Sequence, residues 1–423
     1  MSAPTMPKQQ VGLLGAIAIG LASMLGAGIF TVFGPAFAKT YSYLLVALVL
    51  AALVACLNAA SVYSLAKQVD RPGGVYAYSR AYLNSDFSFI AGFSFVFGKI
   101  GSIGAIGWIF GEYVSVLAPG KATSSITATI AILALTLLNA LGINRTALVA
   151  AILATLTTSY LLVAGILGAA HHGDGEAFLN IFSGGERGGI LAAASLLFFA
   201  FAGYARVATL GNEVKNAKLN IPRAILISLW GVLALYMLLA YALVNTLGAE
   251  LDHATAPFIN MLHGSGNLIP EGVTVFVATA ASLGSMLALL AGVSRTAATM
   301  AEDRELPRAF AHRNRFGAPW LAEVIIAAGS IALIWSTGAL QWVIGFSSFS
   351  VLLYYAIGHL SALRQPRAEH PQPRIVPILG FVLCVTLLLS VPGPAVGVSC
   401  GILLAAYVLR RMTRGLANTP RAE

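Results

Sequence analysis

The chain has 423 residues, of which 58% are hydrophobic and 10% charged, with a mean hydropathy of +0.83 and a formal net charge of +9. A soluble domain carries about one-quarter charged residues, so a water-soluble globule is excluded: too much apolar surface would remain uncovered. The basic excess does not point to nucleic acid either, because it falls in short clusters between apolar segments instead of forming one patch.

Apolar windows long enough to cross about 30 Å of hydrocarbon recur along the whole chain. About twelve are present, at approximately 11–38, 43–67, 86–113, 125–142, 146–170, 189–212, 222–247, 271–300, 320–338, 340–362, 375–391 and 394–411. The longest polar stretches, 171–188, 248–270 and 301–319, are too short for a soluble domain, so residues 1–423 read as one polytopic, all-α membrane domain. With the N-terminus placed in the cytoplasm, alternate loops hold Lys67, Arg71, Arg80, Arg145, Lys215, Lys218, Arg223, Arg304, Arg308, Arg313, Arg315, Arg364, Arg367, Arg374, Arg410, Arg411 and Arg414. The opposite loops hold mainly Lys39, Lys121 and Arg187. This asymmetry is the positive-inside rule, and it predicts a multi-pass protein of the cytoplasmic (inner) membrane with both termini cytoplasmic. The first window is long and lacks a small-residue cleavage site, so it is expected to stay as a span. Cys56, Cys384 and Cys400 are scattered through apolar segments, without disulfide or metal spacing.

Taken in chain order, the first window is interrupted by glycine at Met24-Leu25-Gly26-Ala27-Gly28-Ile29-Phe30. An unpaired backbone N–H or C=O in lipid costs several kcal/mol, so a membrane helix breaks only where protein, water or a polar ligand meets the freed groups. The turn Asp70-Arg71-Pro72-Gly73-Gly74-Val75-Tyr76-Ala77-Tyr78 follows the second window; its two tyrosines suit a segment lying at the membrane surface, and a re-entrant gate is the alternative. The third window carries Lys99, about 20 Å along its helix and so near the midplane. A charge there is costly and is functional when it faces the protein interior. The other reading is a lysine that pairs with free carbonyls and ties the bundle together. In the fifth window stands Leu156-Thr157-Thr158-Ser159-Tyr160, without a lysine.

The loop His171-His172-Gly173-Asp174 is read as solvated, since adjacent histidines do not readily share one ion. The sixth window is broken like the first, at Phe198-Phe199-Ala200-Phe201-Ala202-Gly203-Tyr204, with Arg206 just beyond. Two breaks at matching depth in the two halves are the trace of a midplane site at the interface of an inverted repeat, which predicts a solute transporter. Close helix packing is the competing reading of such glycines; the two-residue spacing of Gly26 and Gly28, together with the second break, favours a site. The aromatics of the second break are either packing or a lid, with one or two expected to act as gates. After it, Asn220 is expected to cap a helix with Pro222 in its first turn. The eighth window carries Ser282 and Ser285, and Ser294-Arg295 leads into the charged linker ending at Leu306-Pro307.

Gly26-Ala27-Gly28-Ile29-Phe30, Pro72-Gly73-Gly74-Val75-Tyr76, the Phe199-to-Tyr204 break, Glu213-Val214-Lys215-Asn216 with Ile221-Pro222-Arg223-Ala224-Ile225, and Ser294-Arg295 to Leu306-Pro307 stand in order over essentially the whole chain. In this the chain resembles the amino acid–polyamine–organocation transporters. The resemblance implies a leucine-transporter-like fold of five plus five inverted spans, about 11–170 and 189–362, with further helices at about 375–411.

On the physical reading, the half-helix that begins near Ala27-Gly28 presents unpaired N–H groups with a positive dipole end, which suits a carboxylate. Carried over by position, the N–H groups of Ala27 and Gly28 would hold the carboxylate of an amino acid, and the carbonyls of Met24, Phe199 and Ala202 its ammonium; Gly26, Ile29, Phe201, Gly203 and Tyr204 complete the expected site. Many relatives carry a hydroxyl residue where Ala27 stands, so recognition falls to the backbone. Some proton-coupled relatives place a lysine in the fifth span; here its place is empty. Either Lys99 supplies that charge, or Ser159, Ser282 and Ser285 help hold Na⁺, or the carrier is an uncoupled exchanger. Arg206 extends the site or pairs with a helix end, and Ala205 stands where several relatives have an acid, which argues for a neutral substrate.

The expectation is therefore a permease moving neutral amino acids by alternating access, proton-coupled, with an exchanger or Na⁺-coupled carrier as the alternative. No cofactor is expected beyond a proton or Na⁺, no nucleic acid partner, and no catalytic cluster, because neither a nucleophile–base pair nor a phosphate loop is recognisable. A membrane-embedded enzyme and a substrate sensor stand as the other classes. Substrate side chain, coupling ion, direction and oligomeric state are not legible.

Overall fold

The computed structural model describes residues 11–69, 71, 73–117, 124–141, 147–170, 189–203, 214–266, 269–337, 340–367, 369, 372–391 and 394–417. Among these the chain is all helical. Its α-helices are α1 (Leu13–Met24), α2 (Phe33–Thr40), α3 (Leu44–Ala66), α4 (Val75–Tyr82), α5 (Ser85–Leu117), α6 (Ser124–Ala140), α7 (Ala147–Ala170) and α8 (Ile190–Phe201). There follow α9 (Ala217–Leu247), α10 (Pro257–Gly264), α11 (Glu271–Glu302), α12 (Trp320–Thr337), α13 (Leu340–Arg364), α14 (Ile375–Leu389) and α15 (Ala395–Ala417).

Among the described residues seven helices are long and apolar enough to cross a membrane, and five shorter apolar ones coincide with the remaining predicted windows. Two of the short ones, α1 and α8, have 12 residues each, about 18 Å of helix, because each stops at a glycine break. Helix α13 is sunk among its neighbours, 89% of its apolar window being buried, whereas α15 presents most of its surface outward, with only 17% buried. Apolar faces turned outward are what a bilayer covers: Trp230, Leu404, Leu389 and Phe276 are all more than 60% exposed.

The helix ends on the side of the C-terminus are tied by a charged network. Arg410 of α15 donates through Nε to Glu305 at 2.6 Å and through Nη1 to Asp86 at 2.6 Å, and its guanidinium lies 4.8 Å from the Phe89 ring. Arg80 lies 3.3 Å from Asp303 and 3.6 Å from Glu305, and Arg71 meets Asp303 at 2.6 Å. The network thus gathers the start of α5, helix α4 and the end of α11 on one face.

Two local expectations change. Tyr76 and Tyr78 are not at a surface: Gly73 and Gly74, both at positive φ, turn the chain so that α4 tucks beneath the bundle, and the tyrosines are 1% and 3% exposed. The Tyr354 hydroxyl accepts from the Val75 N–H at 2.9 Å, and the Tyr76 hydroxyl donates to Asp303 at 2.8 Å. Burial, then that carboxylate, pushes the Tyr76 hydroxyl well above the usual phenol range. At α9 the capping position belongs to Asn216, in the left-handed region at φ 48°, and not to Asn220; Pro222 sits in the second turn. Asn220 instead donates its side-chain N–H to the Lys215 carbonyl at 2.6 Å. Proline so near the start removes only one intrahelical bond.

Candidate functional site

The first break is built by Leu25 and Gly26. Helix α1 closes with Leu25 N–H on the Leu21 carbonyl at 2.8 Å, and a single 3₁₀ turn, Ala27–Phe30, precedes α2. Ile29 N–H closes on the Gly26 carbonyl and Val32 N–H on that of Gly28. The N–H groups of Gly26, Ala27 and Gly28 find no acceptor among the described residues. They form a patch of free donors at a helical start, which attracts an anion.

The second break lies directly against the first. A Cβ built on Gly203 would overlap the Ser23 carbonyl and the Met24 nitrogen, so only glycine permits this crossing. A Cβ on Gly28 would come within 2.7 Å of the Phe199 ring, and one on Gly26 within 2.7 Å of the Ser285 hydroxyl on α11. Ser285 is halfway along α11, which sets the crossing at mid-depth. The aromatics of the second break divide accordingly. Phe198 packs on Tyr355 at 6.1 Å and Phe201 on Tyr236 at 5.1 Å, both fully buried, while Phe199 alone faces Gly28. Ala202 N–H turns back to the Phe199 carbonyl at 3.4 Å.

One residue of the site has no sequence signal. The Tyr236 hydroxyl on α9 lies 3.0 Å from the Met24 carbonyl and 3.1 Å from the Ala200 carbonyl, so a single hydroxyl bridges freed carbonyls of both broken helices. Phe33 and Phe201 hold its ring from two sides. In the sequence Leu235-Tyr236-Met237 it is one tyrosine in an apolar span, and nothing there sets it apart.

Beyond the first break, away from the charged network, the route is filled. Phe30 contacts Tyr113, Tyr160 and Phe258, with ring centroids 5.4–6.3 Å apart. Tyr113 donates to the Phe30 carbonyl at 3.0 Å, and Tyr160 to the Thr274 hydroxyl at 3.0 Å. These rings are at most 6% exposed, so this end is shut.

The residues expected to couple an ion lie in different places. Lys99 is 8% exposed, 6.0 Å from the Phe95 ring, with no hydrogen bond or ion pair among the described residues; the expected pairing with free carbonyls is not found there. Helices α5 and α11 run antiparallel and touch where Gly92 abuts Met300. Counting 1.5 Å per residue from that point puts Ser285 about 22 Å and Lys99 about 10 Å along, so the backbone of Lys99 is roughly 12 Å lower in depth than the crossing, on the network's side. Two heptads separate it from Tyr113, which places both near one face of α5. Ser282 is buried and spends its hydroxyl on the Ala278 carbonyl at 2.7 Å; Ser285 abuts the first break; Ser159 is on an exposed face of α7. Tyr204, Ala205 and Arg206, like His171 and His172, lie outside the described residues. Among the described residues no cluster of three or more His, Cys, Asp or Glu is placed to hold a metal, and Cys56, Cys384 and Cys400 are free thiols.

Two interrupted helices locked together inside a bundle of apolar helices are tolerated in a membrane where protein, water or a polar ligand meets the freed backbone groups, and paired breaks of this kind define the class of membrane transporters. Within it the chain belongs to the amino acid permease family of the amino acid–polyamine–organocation superfamily, whose profile matches residues 11–409. It is 41% identical over 99% of its length to an uncharacterized transporter of Mycobacterium tuberculosis, covering 96% of that protein. It is 28% identical to the serine/threonine exchanger SteT of Bacillus subtilis over 74% of each chain. With the branched-chain amino acid permease BcaP of the same organism it shares 26% identity over 90% of its own length and 88% of the relative's.

Proposed function

We propose that the protein is a secondary active carrier of neutral, zwitterionic amino acids, working by alternating access around the crossed breaks. The observation that carries this reading is the crossing itself: Gly203 seated on Ser23 and Met24, with Tyr236 joining the carbonyls of both helices. The free N–H groups of Gly26, Ala27 and Gly28 take the carboxylate. The carbonyls of Met24, Phe199 and Ala202 take the ammonium, and Phe199 covers the ligand. A zwitterion satisfies both sets of groups without bringing net charge into low dielectric. The relatives named for serine, threonine and branched-chain amino acids support a neutral substrate.

In this reading the twelve apolar helices are twelve spans in a five-plus-five inverted repeat with two more at the end. Both termini are in the cytoplasm of a cell bounded by this inner membrane. The aromatic plug at Phe30 is the outer gate, closed here, and Lys99, inward of the site, is the proton-coupling group. Ser282 and Ser285 stand for the alternative of a bound Na⁺.

The test is a screen of purified protein for thermal stabilisation across the amino acids, followed by uptake into proteoliposomes under an imposed pH or Na⁺ gradient. A ligand binding only the folded state raises the melting temperature. Serine, alanine, valine or leucine should do so; stabilisation by arginine or a polyamine alone would overturn the reading.

A further inference from the structure

Helices α6 and α12 are stitched together at two levels and stand apart between them. Near the end of α6, Asn139 donates its side-chain N–H to Glu323 at 2.7 Å; at the other level the Trp335 indole N–H donates to the Thr129 hydroxyl at 3.1 Å. Glu323 and Trp335 are about 18 Å apart along α12, a little more than the depth of one leaflet in a hydrocarbon core of about 30 Å. Between the stitches a groove of about 370 Å³ is left, walled by Leu133 and Thr136 on α6 and by Val324, Ala327, Ala328 and Ile331 on α12. The alanines make the gap, because their side chains are too short to reach α6.

Past the Asn139–Glu323 stitch, at the end of α6, the surface turns basic. Asn314 donates to the Ala140 carbonyl at 2.6 Å while its side-chain oxygen accepts from Phe316 and Ala318 N–H at 3.0 and 3.1 Å, which fixes the loop under the end of α6. Arg313 and Arg315 flank that anchor. Arg315 lies over the Phe316 ring at 4.7 Å and makes no ion pair among the described residues. Arg313 meets Glu302 at 3.3 Å, with both side chains more than half exposed. Phe316 and Trp320, 47% and 41% exposed, stand at the same level, as aromatics do where hydrocarbon gives way to headgroups. The nearby acid, Glu323, is 1% exposed and turned to Asn139, so it does not confront that surface.

We infer that this groove binds an anionic phospholipid, one acyl chain lying between the stitches and the phosphate resting on Arg315, with Arg313 beside it. An apolar slot open along its side, with the guanidinium of Arg315 one turn past its end, matches that chemistry for both chain and headgroup. A second copy of the chain matches it poorly, since two such basic surfaces would bring like charges together. The inference needs α6 and α12 to be membrane helices and is independent of the transported substrate.

The experiment uses delipidated full-length protein in detergent and native mass spectrometry. Phosphatidylglycerol is set against phosphatidylcholine of the same chains, with glycerol phosphate as a headgroup without chains. One phosphatidylglycerol should be retained per chain in preference to phosphatidylcholine, and glycerol phosphate should not be retained. Arg315→Gln, at an exposed position, should lower the preference about fivefold. Ala328→Phe, which fills the slot, should abolish retention of either lipid. Equal retention of both lipids, a preference unchanged in Arg315→Gln, or a dimer that forms in place of the lipid adduct would each overturn the proposal.

Discussion

Replacing Tyr236 by phenylalanine removes one oxygen and leaves the ring, which Phe33 and Phe201 hold at centroid distances of 6.3 and 5.1 Å. The hydroxyl has one proton for two carbonyls, at 3.0 Å on Met24 and 3.1 Å on Ala200. One net hydrogen bond is therefore lost, about 1 kcal/mol, rising toward 3 kcal/mol if a buried carbonyl finds no water. Those two carbonyls belong to different broken helices, so the loss falls on the joint between them and not on either helix alone. In the proposed binding mode the ligand's ammonium uses the same stretch of backbone, and a loosened crossing should weaken binding by about tenfold, the equivalent of about 1.4 kcal/mol. The assay is substrate-induced thermal stabilisation of purified Tyr236→Phe, paired with exchange in proteoliposomes. The parallel control is Tyr113→Phe, which also frees a carbonyl, that of Phe30, but within the aromatic plug; it should change the rate of exchange more than the affinity. If Tyr236→Phe binds substrate and exchanges it as the parent does, the bridged carbonyls are only packing and the site lies elsewhere.

Gly28→Val should abolish substrate-induced stabilisation while the protein still inserts, because the added side chain meets the Phe199 ring and blocks approach to the free N–H groups; parental affinity in a thermal shift titration would remove the first break from the site. Lys99→Met keeps an apolar stem of similar length and removes the charge, and should convert accumulation driven by a pH gradient into pH-independent exchange; accumulation that still follows the pH gradient in proteoliposomes would make Lys99 structural. Arg410→Met should destabilise the fold by about 3 kcal/mol, the low end for breaking a buried pair, since the Glu305 side chain is fully buried and Arg80, its other cation, stands off at 3.6 Å; an unchanged unfolding midpoint in denaturant would show the network to be dispensable.

The sequence carried the large features because they are one-dimensional. Hydropathy marks helices, and the windows 43–67, 271–300 and 340–362 return as Leu44–Ala66, Glu271–Glu302 and Leu340–Arg364. The breaks were legible because glycine inside an apolar run has a direct backbone consequence. What was hidden depends on rotation and on contacts far apart in the chain. Tyr236 could be chosen from the tyrosines only once α9 was seen to turn it toward α1 and α8. The same holds for Tyr76 and Tyr78, whose composition suits an interface but whose glycine turn carries them under the bundle. The division of Phe198, Phe199 and Phe201 into two packing rings and one facing ring follows from successive 100° steps around α8, which adjacency in sequence obscures.

The position of Lys99 also constrains how a charge on α5 could act on the ligand. Roughly 12 Å of depth separates its backbone from the crossing, so its charge acts on a bound amino acid from a distance and not as a direct ligand. Two unit charges about 12 Å apart in an effective dielectric near 20 interact by about 1.4 kcal/mol, about tenfold in binding, and a zwitterion feels less because its two charges nearly cancel. Direct electrostatics therefore makes a weak coupling device here. The alternative is mechanical: Lys99 shares a face of α5 with Ile106 and Tyr113, and Tyr113 holds the Phe30 carbonyl at the closed end. A lysine that is charged when water reaches it from the open side and neutral when the bundle closes would bias which side opens, leaving the affinity of the crossing itself almost unchanged. Proton and substrate would then be linked through the gate, and raising the pH should alter the maximal rate of accumulation in the parent protein while the half-saturating substrate concentration stays within a few-fold. A large shift in half-saturation with no change in maximal rate would place the titrating group at the crossing after all.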